Sequence, residues 1–195
     1  MKKQLENKKI VILASGNGSN FEAIVNHIRK QSLQIEVESL ITDNPRAFAI
    51  ERAKRLGVPV KVIDYKSFPS RDEFNRALFD LLKEQDPDLI VLAGFMKILP
   101  PEIVRFFWRK IVNIHPSLLP AFPGLHAIEK AFKYGVKVTG VTVHFVDEGV
   151  DTGPIILQEC VKVDDSDTLE TLEEKIHAVE HKIYIEAIKK VLFGD

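Results

Sequence analysis

Two polar side chains interrupt an apolar stretch of the sequence and are the first candidates for chemistry. Asn113 and His115 lie two residues apart in residues 111–120, which read IVNIHPSLLP. Side chains alternate between the two faces of a strand, so this spacing predicts that both point to the same face. Pro116 favours an extended backbone at His115 and ends the hydrogen bonding of the strand. Ligands of α/β proteins bind at such strand ends; the alternative is a buried histidine bonded to a carbonyl.

A carboxylate in a later loop is the third candidate. Asp151 lies between two glycines in residues 147–154, DEGVDTGP, rather than in the salt-bridge pattern of a helix. A carboxylate near His115 would fix the orientation of the imidazole. We expect the loops that carry these residues to lie at one end of the sheet, together with a glycine-rich turn near the amino terminus.

The sequence predicts neither a covalent nucleophile nor a metal. Ser15 and Ser117 lack the G-x-S-x-G context of an activated serine. This favours direct transfer or hydrolysis, with histidine as acid or base, over a covalent intermediate. No H-x-x-x-H or C-x-x-C spacing is found among the candidate metal ligands, which are His115, His126, His144 and Asp151.

The glycine-rich turn, SGNGSN at residues 15–20, predicts an anion site. It follows an apolar run that is typical of a buried strand and precedes apolar residues at helical spacing. Backbone N–H groups and the positive end of the helix dipole favour a phosphate there, and we expect Ser19 or Asn20 to cap the helix. The turn is neither G-x-G-x-x-G nor a P-loop, so a dinucleotide or nucleoside triphosphate is not implied. A tight turn without a ligand is the alternative.

Strand and helix patterns alternate along the chain. The predicted strands are residues 10–14, 37–42, 58–63, 88–93, the start of 111–120, 136–146 and 155–163, the last two antiparallel to each other. Six helices are predicted. Three span residues 47–56, 71–85 and 101–107. Of the others, one begins near residue 21, one ends near residue 134, and the last begins at residue 168. This order predicts an α/β fold: a doubly wound, Rossmann-like, mostly parallel sheet with helices on both faces and a C-terminal antiparallel strand pair.

Composition restricts the class of protein. A chain of 195 residues, 45% hydrophobic and 28% charged, predicts one globular domain over residues 1–195. The net charge of −1 gives no electrostatic argument for nucleic acid or an acidic membrane, and no apolar run approaches membrane-spanning length. The one cysteine, Cys160, is typical of a reducing cytoplasm and is predicted to be a structural thiol in an apolar strand. We expect a cytoplasmic monomer or homodimer with small-molecule substrates.

Five motifs resemble those of the phosphoribosylglycinamide formyltransferases, folate-dependent enzymes of purine synthesis. They are SGNGSN, LAGFMKIL, NIHPSLLP, PGLHAI and VHFVDEGVDTGPIILQ, and the resemblance runs from about Lys9 to the final helix. Asn113, His115 and Asp151 match the catalytic trio of the wider folate-dependent formyltransferase superfamily, so they alone do not fix the substrate. SGNGSN resembles the phosphate loop for the ribosylglycinamide. Relatives that act on methionyl-tRNA or hydrolyse formyltetrahydrofolate have different sequences there.

The resemblance implies direct transfer of the formyl group of 10-formyltetrahydrofolate to the amine of 5-phosphoribosylglycinamide, with a formyltetrahydrofolate hydrolase as the alternative. It implies that the N-terminal half binds the ribosylglycinamide. Gly18, Ser19 and Asn20 would hold the phosphate. His177 and Glu180, in the last helix, would complete that site, with Glu180 accepting from the ribose hydroxyls. The residues alone predict only a solvated helix charge at Glu180.

By the same resemblance the C-terminal half binds the folate. Loops 96–99 and 147–151 would enclose the pterin, and Arg71 would reach the folate side. An arginine in the first turn of a helix is unfavourable for the dipole, which suggests an anionic partner; the alternative is plain solvent exposure. Lys97 stands where many members have arginine, so it keeps the charge and loses the bidentate fork. The implied folate contacts are Arg71, Met96, Lys97, Ile98, Leu99, Asn113, Asp147, Glu148, Gly149, Val150 and Asp151.

Overall fold

The computed structural model describes residues 7–194, and the chain divides into two compact units after Ile103. The N-terminal unit is built on four parallel strands in the order β3-β2-β1-β4. They are β1 (Lys8–Leu13), β2 (Ile35–Thr42), β3 (Val60–Val62) and β4 (Leu89–Leu92). All four residues of β4, and β1 from Ile10 onward, are buried. Continuous apolar strands of this kind are typical of parallel sheets that are covered on both faces.

Three helices connect these strands, as parallel pairing requires. They are α1 (Ser19–Lys30), α2 (Ala49–Arg55) and α3 (Arg71–Gln85). Ser70 caps α3 by accepting a hydrogen bond from the backbone N–H of Glu73. A single 3₁₀ turn, Tyr65–Ser67, precedes it. Helix α4 (Pro101–Phe106) contains the boundary between the two units.

The C-terminal unit is built on three antiparallel strands in the order β5-β6-β7. They are β5 (Ile111–His115), β6 (Val138–Phe145) and β7 (Ile155–Lys162), accompanied by α5 (Ala127–Tyr134) and α6 (Leu169–Phe193). Helix α6 packs against β6 and β7. It begins at a capping box formed by Thr168 and Thr171 and ends at Gly194, whose φ is 78°.

All seven predicted strands are present among residues 7–194, and β3 is shorter than predicted. The α/β class with a mostly parallel arrangement and an antiparallel C-terminal part is confirmed, and the antiparallel part also includes β5. The prediction of a structural thiol is wrong in one respect: Cys160 is exposed, because it lies in the largely exposed strand β7. The single domain over residues 1–195 stays a prediction, and its residues 1–6 and 195 lie outside the described residues. None of the described helices is long and apolar enough to cross a membrane.

Candidate active site

Strand β5 ends at His115 and pairs with β6, and this register brings a fourth polar residue into the group. Asn113 lies opposite His144, and His115 lies opposite Thr142. Directly opposite residues on antiparallel strands have neighbouring side chains. His144, which the sequence offered only as a candidate metal ligand, therefore becomes the neighbour of Asn113.

Asp151 joins these residues from the loop after β6. Its Oδ2 is 3.3 Å from Nδ1 of His115, and its Oδ1 is 3.6 Å from Nε2 of His144. Nδ2 of Asn113 is 3.3 Å from the same Nε2 of His144. The side chains of both histidines and the aspartate are at most 10% exposed. The structure thus brings together the predicted trio, with His144 at its centre.

Hydrogen bonding fixes the direction in which the Asn113 amide points. Nδ1 of His144 is 2.8 Å from the carbonyl oxygen of Phe145, so it carries a proton. When Nε2 of His144 carries no proton, it accepts one N–H of Asn113, whose Nδ2 lies 3.3 Å away. The second N–H of the amide is directed elsewhere, which leaves Asn113 able to donate to a substrate oxygen.

The carboxylate of Asp151 is held ionised. The neighbouring His144 ring, the backbone N–H of Gly124 at 2.7 Å and the charge of His115 lower the pKa of Asp151, while partial burial raises it. Asp151 adopts a φ of 57°, in the left-handed region that few residues other than glycine occupy. Strained backbone conformations of this kind cluster at functional sites.

The other ring nitrogen of His115 also has a protein partner. Nε2 is 2.8 Å from the carbonyl oxygen of Phe122. Ser117, fully buried, donates to the neighbouring carbonyl of Ala121 at 2.5 Å. The hydrogen bond to a carbonyl that the sequence allowed as an alternative is therefore present, together with the contact to Asp151.

The loop that carries Asp151 is shaped by its own side chains. Oδ1 of Asp147 accepts from the backbone N–H of Gly149 at 3.0 Å and from the hydroxyl of Thr152 at 2.7 Å. Glu148 forms a two-point ion pair with Arg105, at 2.6 and 2.9 Å. Asp147 and Glu148, both predicted folate contacts, are thus engaged in holding the loop, and Val150 is exposed.

In the N-terminal unit, the glycine-rich turn connects β1 to α1. Its cap is Gly18, with a φ of 76° and no side-chain hydrogen bond, so the prediction that Ser19 or Asn20 caps the helix is wrong. A Cβ at Gly18 would lie 2.6 Å from Cβ of Ala49. Only glycine fits this left-handed, crowded position. The cap of α1 therefore makes no side-chain hydrogen bond, which is compatible with an anion at this helix start.

Two neighbours brace this turn within the N-terminal unit. Arg52 donates to the carbonyl and to the side-chain oxygen of Asn17, at 2.9 Å each. The hydroxyl of Ser15 accepts from the backbone N–H of Met96 at 2.8 Å. The second contact ties the glycine-rich turn to the apolar loop 94–99.

The predicted folate residues of the N-terminal unit have protein partners of their own. Nη2 of Arg71 donates to the carbonyl of Ile98 at 3.1 Å. Nζ of Lys97 lies 3.7 Å from a carboxylate oxygen of the buried Asp43 and 3.7 Å from the ring centre of Tyr65. The charge of Lys97 is therefore already matched inside this unit. Within the same loop Leu99 is buried, whereas Met96 and Ile98 expose 63% and 58% of their surface.

His177 and Glu180 lie one turn apart on α6 and are paired. Nδ1 of His177 is 2.8 Å from Oε2 of Glu180, and this carboxylate raises the pKa of His177. Glu180 is only 4% exposed, so the prediction of a solvated charge at this position is wrong. Charged residues recur along α6, so the sequence gave little sign that this turn of the helix is enclosed. The ribose contact implied by the resemblance stays a prediction.

No group of three or more histidine, cysteine, aspartate or glutamate side chains within residues 7–194 could hold a metal ion. His126 lies at the start of α5, where it is exposed and close to Glu129. The trio and His144 offer hydrogen-bond donors, a carboxylate and two imidazoles in a nearly dry setting. This arrangement can stabilise a developing oxyanion and move a proton.

Comparisons with known proteins agree with this chemistry. A family model described as formyl transferase matches residues 8–188. The chain is 46% identical to phosphoribosylglycinamide formyltransferase of Bacillus subtilis over 95% of both chains. It is 42% identical to the trifunctional purine biosynthetic protein adenosine-3 of Gallus gallus over 98% of this chain and 19% of that protein. The crystal structure of phosphoribosylglycinamide formyltransferase from Bacillus halodurans superposes with a TM-score of 0.91 at 50% identity, covering 95% of this chain and 96% of that one. The chain therefore belongs to the formyl transferase family.

Proposed function

We propose that this protein transfers the formyl group of 10-formyltetrahydrofolate directly to the amine of 5-phosphoribosylglycinamide, a step of purine biosynthesis that it would perform in the cytoplasm. The observation that carries the proposal is the buried group of Asn113, His115, His144 and Asp151. Support comes from relatives that bear the name of this enzyme and match the chain over nearly its whole length.

The group supplies what a formyl transfer needs. When the amine attacks the formyl carbon, negative charge develops on the formyl oxygen. Asn113 and His115 donate to that oxygen, and donors aimed at a developing oxyanion contribute about 10²–10³ in rate. Asp151 balances the charge of the imidazole and helps to carry the amine proton to the folate nitrogen that leaves. No covalent intermediate and no metal are part of the proposal.

Phosphoribosylglycinamide binding is proposed for Gly18, Ser19 and Asn20 together with His177 and Glu180. The helix start at Gly18, whose cap makes no side-chain hydrogen bond, supports a phosphate there. The buried carboxylate of Glu180 supports hydrogen bonding to hydroxyl groups, because buried carboxylate oxygens are normally hydrogen-bonded.

Folate binding is proposed for two loops and one helix start. The exposed apolar side chains of Met96, Ile98 and Val150 suit the faces of an aromatic pterin. The remaining proposed contacts are Arg71, Lys97, Leu99, Asn113, Asp147, Glu148, Gly149 and Asp151. The oligomeric state, a monomer or a homodimer, stays a prediction.

One assay tests the proposal against its hydrolase alternative. Deformylation of 10-formyltetrahydrofolate is followed with and without 5-phosphoribosylglycinamide. We expect turnover only when the amine is present. Equal turnover without it would identify a hydrolase that uses the same residues with water as nucleophile, and no turnover in either case would leave only a binding protein.

A further inference from the structure

The two ring nitrogens of His115 face different kinds of acceptor. Nε2 is 2.8 Å from the backbone carbonyl of Phe122, and Nδ1 is 3.3 Å from Oδ2 of Asp151. A carbonyl oxygen can accept a hydrogen bond but cannot donate one, so Nε2 must carry a proton in this arrangement. A carboxylate can hold or return a proton. The partners therefore make the two nitrogens chemically unequal.

Ser117 keeps the Phe122 carbonyl in place. Its hydroxyl donates to the carbonyl of Ala121 at 2.5 Å and lies 3.5 Å from that of Phe122. Phe122 has a φ of 51°, a conformation that residues other than glycine rarely adopt. Such a conformation persists only where the surroundings enforce it. The fully buried Ser117 hydroxyl contacts this turn from within, through the carbonyl of Ala121.

The same turn is tied to the two strands behind it. The hydroxyl of Thr142 on β6 donates to the carbonyl of Ser117 at 2.7 Å and accepts from the N–H of Leu119 at 3.0 Å. Gln158 on β7 donates to the carbonyl of Leu119 at 3.0 Å. The hydrogen bonds of Thr142 to Ser117 and Leu119 are buried, and buried bonds of this kind hold a turn rigidly. The acceptor at Nε2 is therefore a fixed part of the fold.

The partner of Nδ1 can change without leaving a buried charge unpaired. Oδ2 of Asp151 also accepts the backbone N–H of Gly124 at 2.7 Å, and Oδ1 faces His144 at 3.6 Å. The contact to Nδ1 is the longer of the two made by the His115 ring. A substrate oxygen can thus share or replace Asp151 at Nδ1 at lower cost than it could displace Phe122 at Nε2.

We propose that His115 acts through Nδ1 while Nε2 keeps its proton throughout, and that Ser117 is the positioning residue that enforces this division. The inference rests on the proposed formyl transfer and adds which ring nitrogen of His115 acts and which side chain holds the ring's other partner in place. As the amine nitrogen bonds to the formyl carbon, the formyl oxygen takes up the electron pair and is stabilised by the proton on Nδ1. The proton lost by the amine passes through Asp151 to the folate nitrogen as the bond from that nitrogen to carbon breaks and the carbonyl re-forms.

The wild-type protein gives a test that does not depend on activity. Nitrogen-15 NMR of the histidine rings distinguishes a protonated from an unprotonated ring nitrogen, and His115→Gln assigns the His115 signals. At high pH, where the ring is neutral, we expect a protonated Nε2 and an unprotonated Nδ1. The opposite pattern would overturn the inference, even if formyl transfer is confirmed.

Ser117→Ala tests the positioning role. We expect kcat to fall about tenfold or more, since a misplaced histidine proton is costly in acid–base catalysis. Both KM values should change little. The NMR spectrum should show the His115 proton distributed over both ring nitrogens. Ser39→Ala is the matched control, because Ser39 is equally buried and donates to Gln85 at 2.6 Å in the N-terminal unit. It should keep the wild-type kcat.

Wild-type kcat and an unchanged His115 spectrum in Ser117→Ala would refute the role of Ser117. If that variant does not fold, the spectrum of the wild-type protein still decides which nitrogen keeps its proton. Failure of the proposed function would look different: the wild-type protein would show no amine-dependent transfer, whatever its ring nitrogens show.

Discussion

Replacing Asp151 with asparagine tests the electrostatic part of the mechanism with little change in shape. An amide oxygen can still accept the N–H of Gly124, which is 2.7 Å from the carboxylate. The negative charge 3.3 Å from Nδ1 of His115 is lost. The φ of 57° is tolerated, because asparagine is among the residues that adopt this conformation most readily. We therefore expect Asp151→Asn to fold normally and to fail in catalysis.

The distance sets the size of the effect. Two unit charges 3.3 Å apart interact by about 5 kcal/mol at an effective dielectric constant of about 20. Part of this is offset by the burial that opposes ionisation of Asp151, whose pKa is nevertheless lowered by His144, Gly124 and His115. About 3–4 kcal/mol remains for the transition state, which corresponds to a loss of about 10²–10³ in kcat.

The assay is steady-state formation of tetrahydrofolate at saturating concentrations of both substrates, with unfolding in urea as a check on stability. Asp165→Asn is the control, because Asp165 is also an ion-paired aspartate of the C-terminal unit but is 91% exposed at its side chain. Its kcat should equal that of the wild-type protein. A kcat within about tenfold of wild type in a folded Asp151→Asn variant would refute the role assigned to this charge.

Two further predictions concern the proposed ribosylglycinamide site. Gly18→Ala should lower the free energy of unfolding by at least about 2 kcal/mol, since its Cβ would lie 2.6 Å from that of Ala49 at a φ of 76°. Gly16→Ala is the control and should change this free energy little, because no atom lies within 4 Å of its Cβ. Equal urea midpoints for the two variants would contradict the crowding argument. His177→Gln should cost most stability below pH 6.5, because Glu180 raises the pKa of His177 from 6.5, and the cost should vanish as pH rises through the raised value. A difference from wild type that grows with pH would have the wrong sign.

The order of strands and helices could be predicted from the sequence because each element has a strong pattern of its own. The apolar run of β4 and the alternation of β6 identify strands without any tertiary information. The cap of α1 could not be identified in the same way. Serine and asparagine are good caps in general, but the closeness of Ala49 to Gly18, which decides this position, is a tertiary contact.

The candidate trio was predictable from residue type and spacing, but its environment was not. His144 becomes the partner of Asn113 through the register of β5 on β6, which is set far from either residue in sequence. The Phe122 carbonyl reaches His115 because of a backbone conformation with a φ of 51°, which the residue type disfavours. Glu180 is a buried carboxylate on a helix whose sequence resembles a solvated face. In each case the deciding contact depends on the folded arrangement rather than on local preference.

The most direct test of the central claim follows the formyl carbon itself. 10-Formyltetrahydrofolate labelled with carbon-13 in the formyl group is incubated with the protein and 5-phosphoribosylglycinamide, and the label is traced by NMR. We expect one labelled N-formyl product for each tetrahydrofolate released, with both lost in His115→Ala. Label that appears as formate, or that reaches the amine equally fast with His115→Ala, would contradict direct transfer by the Asn113, His115 and Asp151 group.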